Sequence, residues 1–455
     1  MAIDIDLRRE AREIFNVALR RVDAGDAVRA AVQIDGPHLT ISNEVVNNYT
    51  PGRPVFVLAV GKAAIPMAAA ISEVLDTEIT EGLVIGPYPG HYAELRSQFG
   101  TRWRVCDGSH PIPTYSSIEA ARYAVELMGR ANDEQALVIF LVSGGGSSMI
   151  ERPIDDVITL ADLQTANRTL VECGANISEI NAVRIAISAI KGGRLAKRAP
   201  DTDQITLIVS DTPQGQESIV ASGPTFDPPL EGPSAYDVIL RHKLVADLPE
   251  SILHAAKFPR EQPVKNAPDR IRRHCVLLDS KTALNAACEE AYRRSFVAES
   301  STDISEQPIA EGCELMLART AELYSRNIGS DKVVCLISSG EFSCPVIGNG
   351  IGGRNAETVL RCAITLGKPR SQDALTAARH IAVLSAGTDG IDGNSPAAGA
   401  AADETSVERA GIIGIEPRDF LEGSDAYNFF KALDEAIVTG PTGTNVRDLR
   451  IVLAV

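Results

Sequence analysis

The segment Ser143-Gly144-Gly145-Gly146-Ser147-Ser148 holds the residue types that most directly suggest chemistry. It follows a short apolar run, Ala136–Val142, and precedes a stretch that we expect to be helical. Glycines and serines between a strand and a helix leave backbone N–H groups exposed to an anion. A flexible tight turn is the alternative, but three consecutive glycines flanked by serines exceed what a turn requires. We therefore predict that Ser143, Gly144, Gly145, Gly146 and Ser147 bind a phosphate or a carboxylate.

Two cationic residues next to glycines are further candidates for binding phosphate. Lys62 follows Gly61 after the apolar run Val55–Val60, so it can act as a point charge beside a helix N-terminus. A solvated lysine is the alternative, and the GxxxxGK[ST] pattern of a Walker sequence is absent from the chain. Arg354 lies in a glycine-rich segment, where a guanidinium can clamp a phosphate or a carboxylate with two hydrogen bonds. Glu341 and Asn355, which flank that segment, are grouped with Arg354 as candidate binding residues.

A predicted helix over residues 178–199 carries a polar stripe without acidic residues. Its members Asn181, Arg184, Ser188 and Lys191 are spaced by three, four and three residues, so they share one face. In a chain of net charge −16, such a stripe indicates an anion site that includes Arg184, Lys191 and Arg194. A plain solvated face is the alternative.

Two aspartates next to glycines or serines follow predicted strands and are candidates for binding Mg²⁺. Asp211 follows the strand Gln204–Val209, and Asp389 lies in the segment 387–393 after the strand Ile381–Ser385. Mg²⁺ is held in proteins by one or two carboxylates together with substrate phosphates. Asx turns use the same residue types, so that structural role stays open for both aspartates.

Gly348, Gly350 and Gly353 satisfy the GxGxxG pattern of a dinucleotide site, which would indicate a reductase. That site also needs an acid at the end of the following strand. Asp373 has nearly the right spacing but lies in a polar, loop-like stretch, so the match is weak. His110, in the rigid loop after a predicted strand near 103–106, is expected to make a structural hydrogen bond rather than to catalyse.

Strands alternate with helices along the chain, which predicts a parallel, doubly wound α/β fold whose ligands gather at the carboxyl ends of the strands. The predicted strands of the first half are 55–60, 82–85, 136–142 and 204–209, and those of the second half are 275–278, 332–338, 381–385 and 449–455. The first forty residues look helical. A proline-rich passage around 258–269 predicts the boundary between two domains, 1–262 and 263–455.

Composition excludes several classes of protein. The 455 residues contain 44 Lys plus Arg against 60 Asp plus Glu, a balance that argues against a nucleic-acid partner. Apolar runs fall far short of the roughly 20 residues of a membrane helix, and the N-terminus does not resemble a signal peptide. The eight cysteines form no CxxC pair, so we expect reduced thiols in a cytoplasmic protein without a structural transition metal.

Taken in order, these segments resemble the glycerate 2-kinases of the MOFRL type. The resemblance extends from about residue 8 to the C-terminus. The matching segments are Gly-Lys-Ala-Ala at 61–64, Ser-His-Pro-Ile-Pro at 109–113, the glycine-rich loop at 143–148, 179–196, Ser-Asp-Thr-Pro at 210–213, Ser-Gly-Pro-Thr at 222–225, Ser-Gly-Glu at 339–341, Gly-Gly-Arg-Asn-Ala-Glu at 352–357, 387–393, and Gly-Pro-Thr-Gly-Thr-Asn-Val-Arg-Asp-Leu at 440–449.

The resemblance implies a Rossmann-like N-terminal domain and a smaller α/β C-terminal domain, with the active site in the cleft between them. It implies transfer of a phosphoryl group from ATP to the 2-hydroxyl of D-glycerate, with Mg²⁺, to give 2-phosphoglycerate. The family's catalytic lysine and arginine correspond to Lys62 and Arg354. Asp211 or Asp389 would accept the hydroxyl proton or hold Mg²⁺, and the sequence leaves these two roles unassigned. The protein is expected to be a monomer or a homodimer that binds small molecules and neither nucleic acid nor membrane.

Two alternatives remain from the sequence. One is an NAD(P)H-dependent hydroxypyruvate or tartronate reductase, since some family members carry that label. The other is a non-catalytic regulator that binds a sugar acid or a nucleotide, against which two cationic clamps and two acids argue. The segment Ser210–Ser218 lacks two aspartates that family members usually have, which affects fine specificity more than reaction type.

Overall fold

The computed structural model describes residues 5–87, 97–228, 232–259, 270–330, 332–368 and 378–455. The chain forms two compact units, which we call the first unit (Ala24–Leu277) and the second unit (Met1–Asp23 with Leu278–Val455). This division differs from the predicted one, 1–262 and 263–455, at both ends. Strand Arg272–Leu278 joins the sheet of the first unit, while the N-terminal helix packs on the second. Most of the predicted boundary segment, and Asp373, lie outside the described residues.

The first unit is built on a six-stranded sheet that is parallel across every pair from β6 to β8. Its strands are β4 (Val55–Val60), β5 (Ile79–Gly86), β6 (Trp103–Asp107), β7 (Leu137–Ser143), β8 (Asp203–Val209) and β9 (Arg272–Leu278). The spatial order is β6-β5-β4-β7-β8-β9. Numbered within this sheet it is 3-2-1-4-5-6, the order of doubly wound folds that bind ligands where the strand order reverses, between strands 1 and 4.

Every residue of β4, β7 and β8 is buried, as expected for the central strands of a sheet covered on both faces. The helices of this unit are α2 (Ala24–Ala31), α3 (Ala64–Leu75), α4 (Tyr115–Asp133), α5 (Gly146–Met149), α6 (Leu160–Glu172), α7 (Ile177–Ala186), α8 (Ala235–Arg241) and α9 (Glu250–Lys257). A small antiparallel sheet of β1 (Val32–Asp35), β2 (His38–Ile41) and β3 (Glu44–Val45) interrupts the region predicted to be helical.

The second unit contains a mixed sheet. Its strands are β10 (Val297–Ser301), β11 (Val334–Gly340), β12 (Ile381–Gly387), β13 (Gly399–Asp403), β14 (Ala436–Ile437) and β15 (Asp448–Ala454), in the spatial order β10-β11-β15-β12-β13-β14. The C-terminal strand β15 lies between β11 and β12 and is antiparallel to both. The helices are α1 (Leu7–Arg21), α10 (Ser280–Arg293), α11 (Ile309–Ser325), α12 (Arg354–Leu366), α13 (Ser406–Ile412), α14 (Pro417–Glu422) and α15 (Ala426–Ala432).

The N-terminal helix α1 supplies part of the core of the second unit. Its apolar face, which includes Ile14 and Phe15, is buried in one cluster with Leu284 of α10 and Leu384 of β12. Spacing of apolar residues by three and four along α1 accounts for this single buried face. The predicted helix is thus confirmed. The residues it packs against lie more than 250 positions away in the sequence, so a local pattern could not predict them.

Candidate active site

Lys62 and the glycine-rich loop Ser143–Ser148 come together at the switch point of the first sheet. Lys62 follows β4, and the loop follows β7, which is hydrogen-bonded to β4. The backbone N–H of Lys62 donates to the carbonyl of Gly144 over 2.8 Å, and the N–H of Ala63 donates to Ser143 Oγ over 3.0 Å. The two segments, which are remote along the chain, therefore form one site, which we call the lysine site.

Asp211 and His110 lie against the same loop. A Cβ atom on Gly144 would lie 1.8 Å from Asp211 Oδ2, so the carboxylate occupies the space that a side chain would need. Gly145 has a φ of +80°, and a Cβ atom there would lie 3.1 Å from both Lys62 Cγ and His110 Cδ2. One cationic, one acidic and one imidazole side chain thus border two adjacent glycines.

The loop offers backbone donors, whereas its serines are engaged within the protein. Ser147 Oγ lies 2.8 Å from Ser222 Oγ, and Ser148 Oγ donates to the carbonyl of Ser109 over 3.0 Å. Within the described residues the N–H groups of Gly144 and Gly145 donate no hydrogen bond. These two N–H groups can therefore donate to an anion, as the glycine-rich pattern predicts.

The predicted helix over 178–199 is wrong beyond its first half, because α7 ends at Ala186. The chain then turns so that Ala189 N–H donates to the carbonyl of Arg152, which aligns residues 187–189 antiparallel to the segment around Pro153. The four residues of the polar stripe consequently do not share a helical face. The sequence pattern did not reveal this, because the pairing segment is remote along the chain.

Each of the three cations predicted on this stripe has a partner inside the protein. Lys191 is 2% exposed and forms an ion pair with Glu151, and burial lowers the pKa of the lysine although Glu151 opposes that shift. Arg194 donates to the carbonyls of Ile185 and Ser188, and Arg184 donates to Asn167 Oδ1 over 2.6 Å. These contacts support the local backbone. Glu151 was missed in the sequence because it lies 40 residues before Lys191.

Arg354 is the first residue of α12 and is held by two acids of the second unit. Its Nε and Nη2 atoms donate to the two carboxylate oxygens of Asp448, and Nη2 also lies 3.2 Å from Glu341 Oε1. Burial alone would lower the pKa of Arg354, but Asp448 and Glu341 outweigh it and raise that pKa, so the guanidinium stays charged. Within the described residues its Nη1 atom has no hydrogen bond. Asp448 therefore fixes the orientation of the guanidinium through Nε and Nη2, and Nη1 is available to an anion.

Asn355 and Asp392 fix the start of α12. The carboxylate of Asp392 accepts hydrogen bonds from the backbone N–H groups of Asn355 and Ala356, at 2.9 and 2.8 Å. The side chain of Asn355 donates to Asp448 Oδ1 and accepts from Ser385 Oγ, so both of its polar ends are bonded within the protein. We call Glu341, Arg354, Asn355, Asp392 and Asp448 the arginine site. Asp392 and Asp448 lie in the segments 387–393 and 440–449 that match the family, but no local sequence pattern predicts that either contacts α12.

Asp389 lies at the carboxyl end of β12, as predicted, and its Oδ1 accepts from the N–H of Ile391 over 3.1 Å. This is the turn geometry that the structural alternative expects. A Cβ atom on Gly387 would lie 3.0 Å from Asp389 Oδ1 and 3.4 Å from Asp448 Oδ1, so two carboxylates border one bare Cα. Oxygen donors of this kind fit Mg²⁺, which takes one or two carboxylates and otherwise water or phosphate.

Two properties of the described residues bear on the class of protein. They contain no group of three or more His, Cys, Asp or Glu side chains arranged to hold a metal ion by themselves. None of their helices combines the length and the apolar character that crossing a membrane requires. All eight cysteines are free thiols.

The strand order and the polar loops at its switch point define a doubly wound α/β protein with a second, mixed-sheet unit. Residues 10–257 match the family described as Domain of unknown function (DUF4147), and residues 334–448 match the MOFRL family. The chain therefore belongs to the family of MOFRL-domain proteins whose members include the glycerate 2-kinases.

Three similar proteins illustrate this membership. The D-glycerate 2-kinase of Thermotoga maritima is 33% identical over 88% of this chain and 91% of its own. A relative from Agrobacterium vitis, provisionally named a hydroxypyruvate reductase, is 35% identical over 87% of this chain and 98% of its own. A crystal structure of glycerate kinase from Thermotoga maritima has a TM-score of 0.76 and 30% identity, with 99% of each chain covered.

Proposed function

We propose that the protein is a kinase that transfers a phosphoryl group from ATP to the 2-hydroxyl of D-glycerate, with Mg²⁺, giving 2-phosphoglycerate and ADP. One observation carries the proposal: Lys62, Asp211 and the N–H groups of Gly144 and Gly145, which donate no hydrogen bond within the described residues, gather where the strand order of the first sheet reverses. The names of the similar kinases supply the substrate.

The reaction needs positioning and charge neutralisation more than covalent help. The 2-hydroxyl oxygen forms the new bond to the γ-phosphorus, and the bond from that phosphorus to the bridging oxygen of ADP breaks. We assign the hydroxyl proton to Asp211, because its carboxylate lies against Gly144 beside Lys62. Lys62 and the N–H groups of Gly144 and Gly145 would then bind the negative charge of the reacting groups.

Arg354 and Asp389 would act on the nucleotide phosphates. The Nη1 edge of Arg354 offers a charged donor whose direction is fixed by Asp448. Asp389, with Asp448 beside it, would hold Mg²⁺, which when bound neutralises charge on the phosphates. Of the remaining predicted residues, Ser143, Ser147 and Asn355 would orient the backbone that binds ligand rather than bind it themselves.

The reductase alternative finds no support in the placement of the glycines. A dinucleotide fingerprint directly follows the first strand of its fold. Here that strand, β4, is followed by Gly61-Lys62-Ala63-Ala64. The glycines of the GxGxxG pattern instead start at Gly348, eight residues after the end of β11. Cβ atoms on Gly348 and Gly350 would lie 2.3 and 2.6 Å from the carbonyl oxygen of Gly423. These glycines permit close packing between two loops.

Two further properties remain part of the proposal. A cytoplasmic location is supported by the free thiols of all eight cysteines, which persist in reducing compartments. A monomer or a homodimer that binds only small molecules is the assembly we expect. A regulator without activity would not need both Asp211 and Lys62 against the same two glycines, which argues for an enzyme.

The proposal is tested by steady-state kinetics of ADP formation with D-glycerate, ATP and Mg²⁺, comparing Lys62→Ala with the wild type. We expect the variant to lose kcat by two orders of magnitude or more, roughly what removal of one charge-stabilising donor costs. Lys281→Ala, which removes an exposed lysine in α10, is the matched control and should leave kcat unchanged. An active Lys62→Ala enzyme would refute the assigned role.

A further inference from the structure

A strained turn presses against the glycine-rich loop. Ala221 and Ser222 have backbone φ values of +53° and +60°, which residues other than glycine rarely adopt. The Cβ atom of Ala221 lies 2.7 Å from where a Cβ atom on Gly146 would be. Ser222 Oγ lies 2.8 Å from Ser147 Oγ and donates to Asn181 Oδ1 over 2.7 Å. Backbone strain of this kind persists only where surrounding contacts enforce it.

The contacts that enforce this turn come from the two glycines after Lys191. Gly192 N–H donates to the carbonyl of Ser222 over 3.1 Å, and Gly193 N–H donates to the carbonyl of Gly223 over 2.7 Å. Residues 192–193 therefore hold the strained turn in register through two backbone hydrogen bonds.

The position of these glycines is fixed in turn by the buried ion pair of Lys191 and Glu151. Glu151 is 5% exposed, and its second oxygen accepts from Ser188 Oγ over 2.6 Å. Glu151 lies three residues beyond Ser148, so it is tied to the end of the glycine-rich loop by the chain itself. The contacts close into a ring, which we call the loop ring: Ser147, Glu151, Lys191, Gly192 and Ser222.

We propose that the Glu151–Lys191 ion pair is a positioning element of the active site, which holds the N–H groups of Gly144 and Gly145 in place through the loop ring. The inference rests on the proposed function for its effect on catalysis. It replaces the expectation that Lys191 binds a ligand anion, since a lysine that is 2% exposed and paired with Glu151 reaches no ligand from this position. A buried pair of this kind fixes geometry more than it adds stability.

Kinetics of three variants test the proposal. Ser222→Ala cuts the link to Ser147 and leaves the ion pair intact, so we expect kcat/KM to fall on the order of 10- to 100-fold, as a small misplacement of reacting groups costs. Glu151→Gln should have the same effect. Asp203→Asn is the matched control, because Asp203 forms a comparable buried ion pair with Arg53 at the amino end of β8. It should lower the melting temperature and leave kcat/KM unchanged.

A double variant separates positioning from direct binding. Lys191→Met alone leaves the charge of Glu151 buried without a partner. Combined with Glu151→Leu it restores an uncharged, filled interior, so the double variant should regain much of the kcat/KM that the single variant loses. Equal loss in the single and double variants would show that Lys191 acts on the ligand directly and would overturn the proposal.

Hydrogen exchange tests the loop ring without any activity. The amides of Ser148 and Ile150, which donate to the carbonyls of Gly145 and Gly146, should exchange faster in Ser222→Ala and Glu151→Gln than in the wild type and in Asp203→Asn. If the wild-type enzyme phosphorylates glycerate but these amides exchange at the same rate in the two variants as in the wild type, the loop ring alone is refuted. A wild-type protein that does not phosphorylate glycerate, but shows the faster exchange in these variants, would refute the proposed function and keep the positioning role.

Discussion

At the scale of single residues, the cationic side chains differ in whether a donor remains without a partner inside the protein. Arg354 is bound along one edge by Asp448 and keeps Nη1 without a hydrogen bond in the described part of the chain. Lys191 and Arg194 are enclosed by a carboxylate and by backbone carbonyls. Charge alone therefore does not identify a ligand contact, whereas the direction in which the remaining donors point does.

Replacement of Arg354 by lysine tests this reading of its geometry. A lysine carries its three donors on one nitrogen, so it cannot bind both oxygens of Asp448 side-on and also place a donor where Nη1 lies. Arg354→Lys should therefore lower kcat/KM on the order of 10- to 100-fold, the value of one charged hydrogen bond. Arg361→Lys is the control, since Arg361 lies on the same helix and pairs with Glu357 within it. Steady-state kinetics provide the measurement, and normal turnover of Arg354→Lys would contradict the role.

The sequence located the residues that follow buried strands, because apolar runs that end in glycine, serine or lysine have a local signature. Lys62, the glycine-rich loop and Asp211 were found in this way and do gather at one end of the first sheet. Glu151 and Asp448 were not assigned roles. They act on Lys191 and Arg354 from positions 40 and 94 residues away, and no local spacing encodes such contacts.

At the scale of elements, the glycine-rich loop depends on close approach more than on flexibility. Because a Cβ atom on Gly144 would lie 1.8 Å from Asp211 Oδ2, Gly144→Ala must displace the aspartate. We expect a large loss of kcat with a folded protein, measured by kinetics alongside circular dichroism. Gly129→Ala is the control: it lies inside α4 with nothing within 4 Å of a Cβ atom, so it should stabilise the protein by about 0.5–1 kcal/mol. Full activity of Gly144→Ala would show that Asp211 has no role in catalysis.

The start of α12 should confer a pH dependence on stability. Burial raises the pKa of Asp392 to about 7 and Asp448 adds to this, while its two backbone hydrogen bonds and Arg354 oppose it. Between about pH 4 and pH 7 the folded protein therefore holds a proton that the unfolded chain has lost, so stability falls as the pH rises through this window.

Asp392→Asn removes that titration and supplies the comparison. The free energy of unfolding of the wild type relative to Asp392→Asn should decline from about pH 4 to pH 7 and then level off. Chemical unfolding at several pH values measures it, and groups elsewhere cancel in the difference. A difference that stays constant, or that grows with pH, would show that Asp392 is ionised throughout this range.

The elements also show where pattern reading fails. Apolar runs predicted β4 to β9, β11, β12 and β15, and the structure confirms these strands with small shifts at their ends. The pattern missed β10, β13 and β14 of the second unit and the small sheet of β1 to β3. The pattern does not reveal that β15 inserts between β11 and β12 antiparallel to each, because strand direction depends on the path of remote segments. The helix over 178–199 was overextended for the same reason, since pairing with residues around Pro153 overrides helical spacing.

At the scale of the whole molecule, the N-terminal helix ties the beginning of the chain to its end. Phe15→Ala should destabilise the second unit by about 3–5 kcal/mol, the cost of truncating a buried phenylalanine. Hydrogen exchange should show faster exchange in α10 and β12 with little change in β4. Arg20→Ala, an exposed position on the same helix, is the control. Equal effects on β4 and β12 would contradict the assignment of α1 to the second unit.

The most direct test of the account is the identity of the product. The protein is incubated with D-glycerate, ATP and Mg²⁺, and phosphorus NMR separates 2-phosphoglycerate from 3-phosphoglycerate. A parallel reaction contains hydroxypyruvate and NAD(P)H without ATP. We predict 2-phosphoglycerate with an equal amount of ADP, and no oxidation of NAD(P)H. Formation of 3-phosphoglycerate would contradict the proposed position of transfer, and oxidation of NAD(P)H without ATP consumption would contradict the kinase itself.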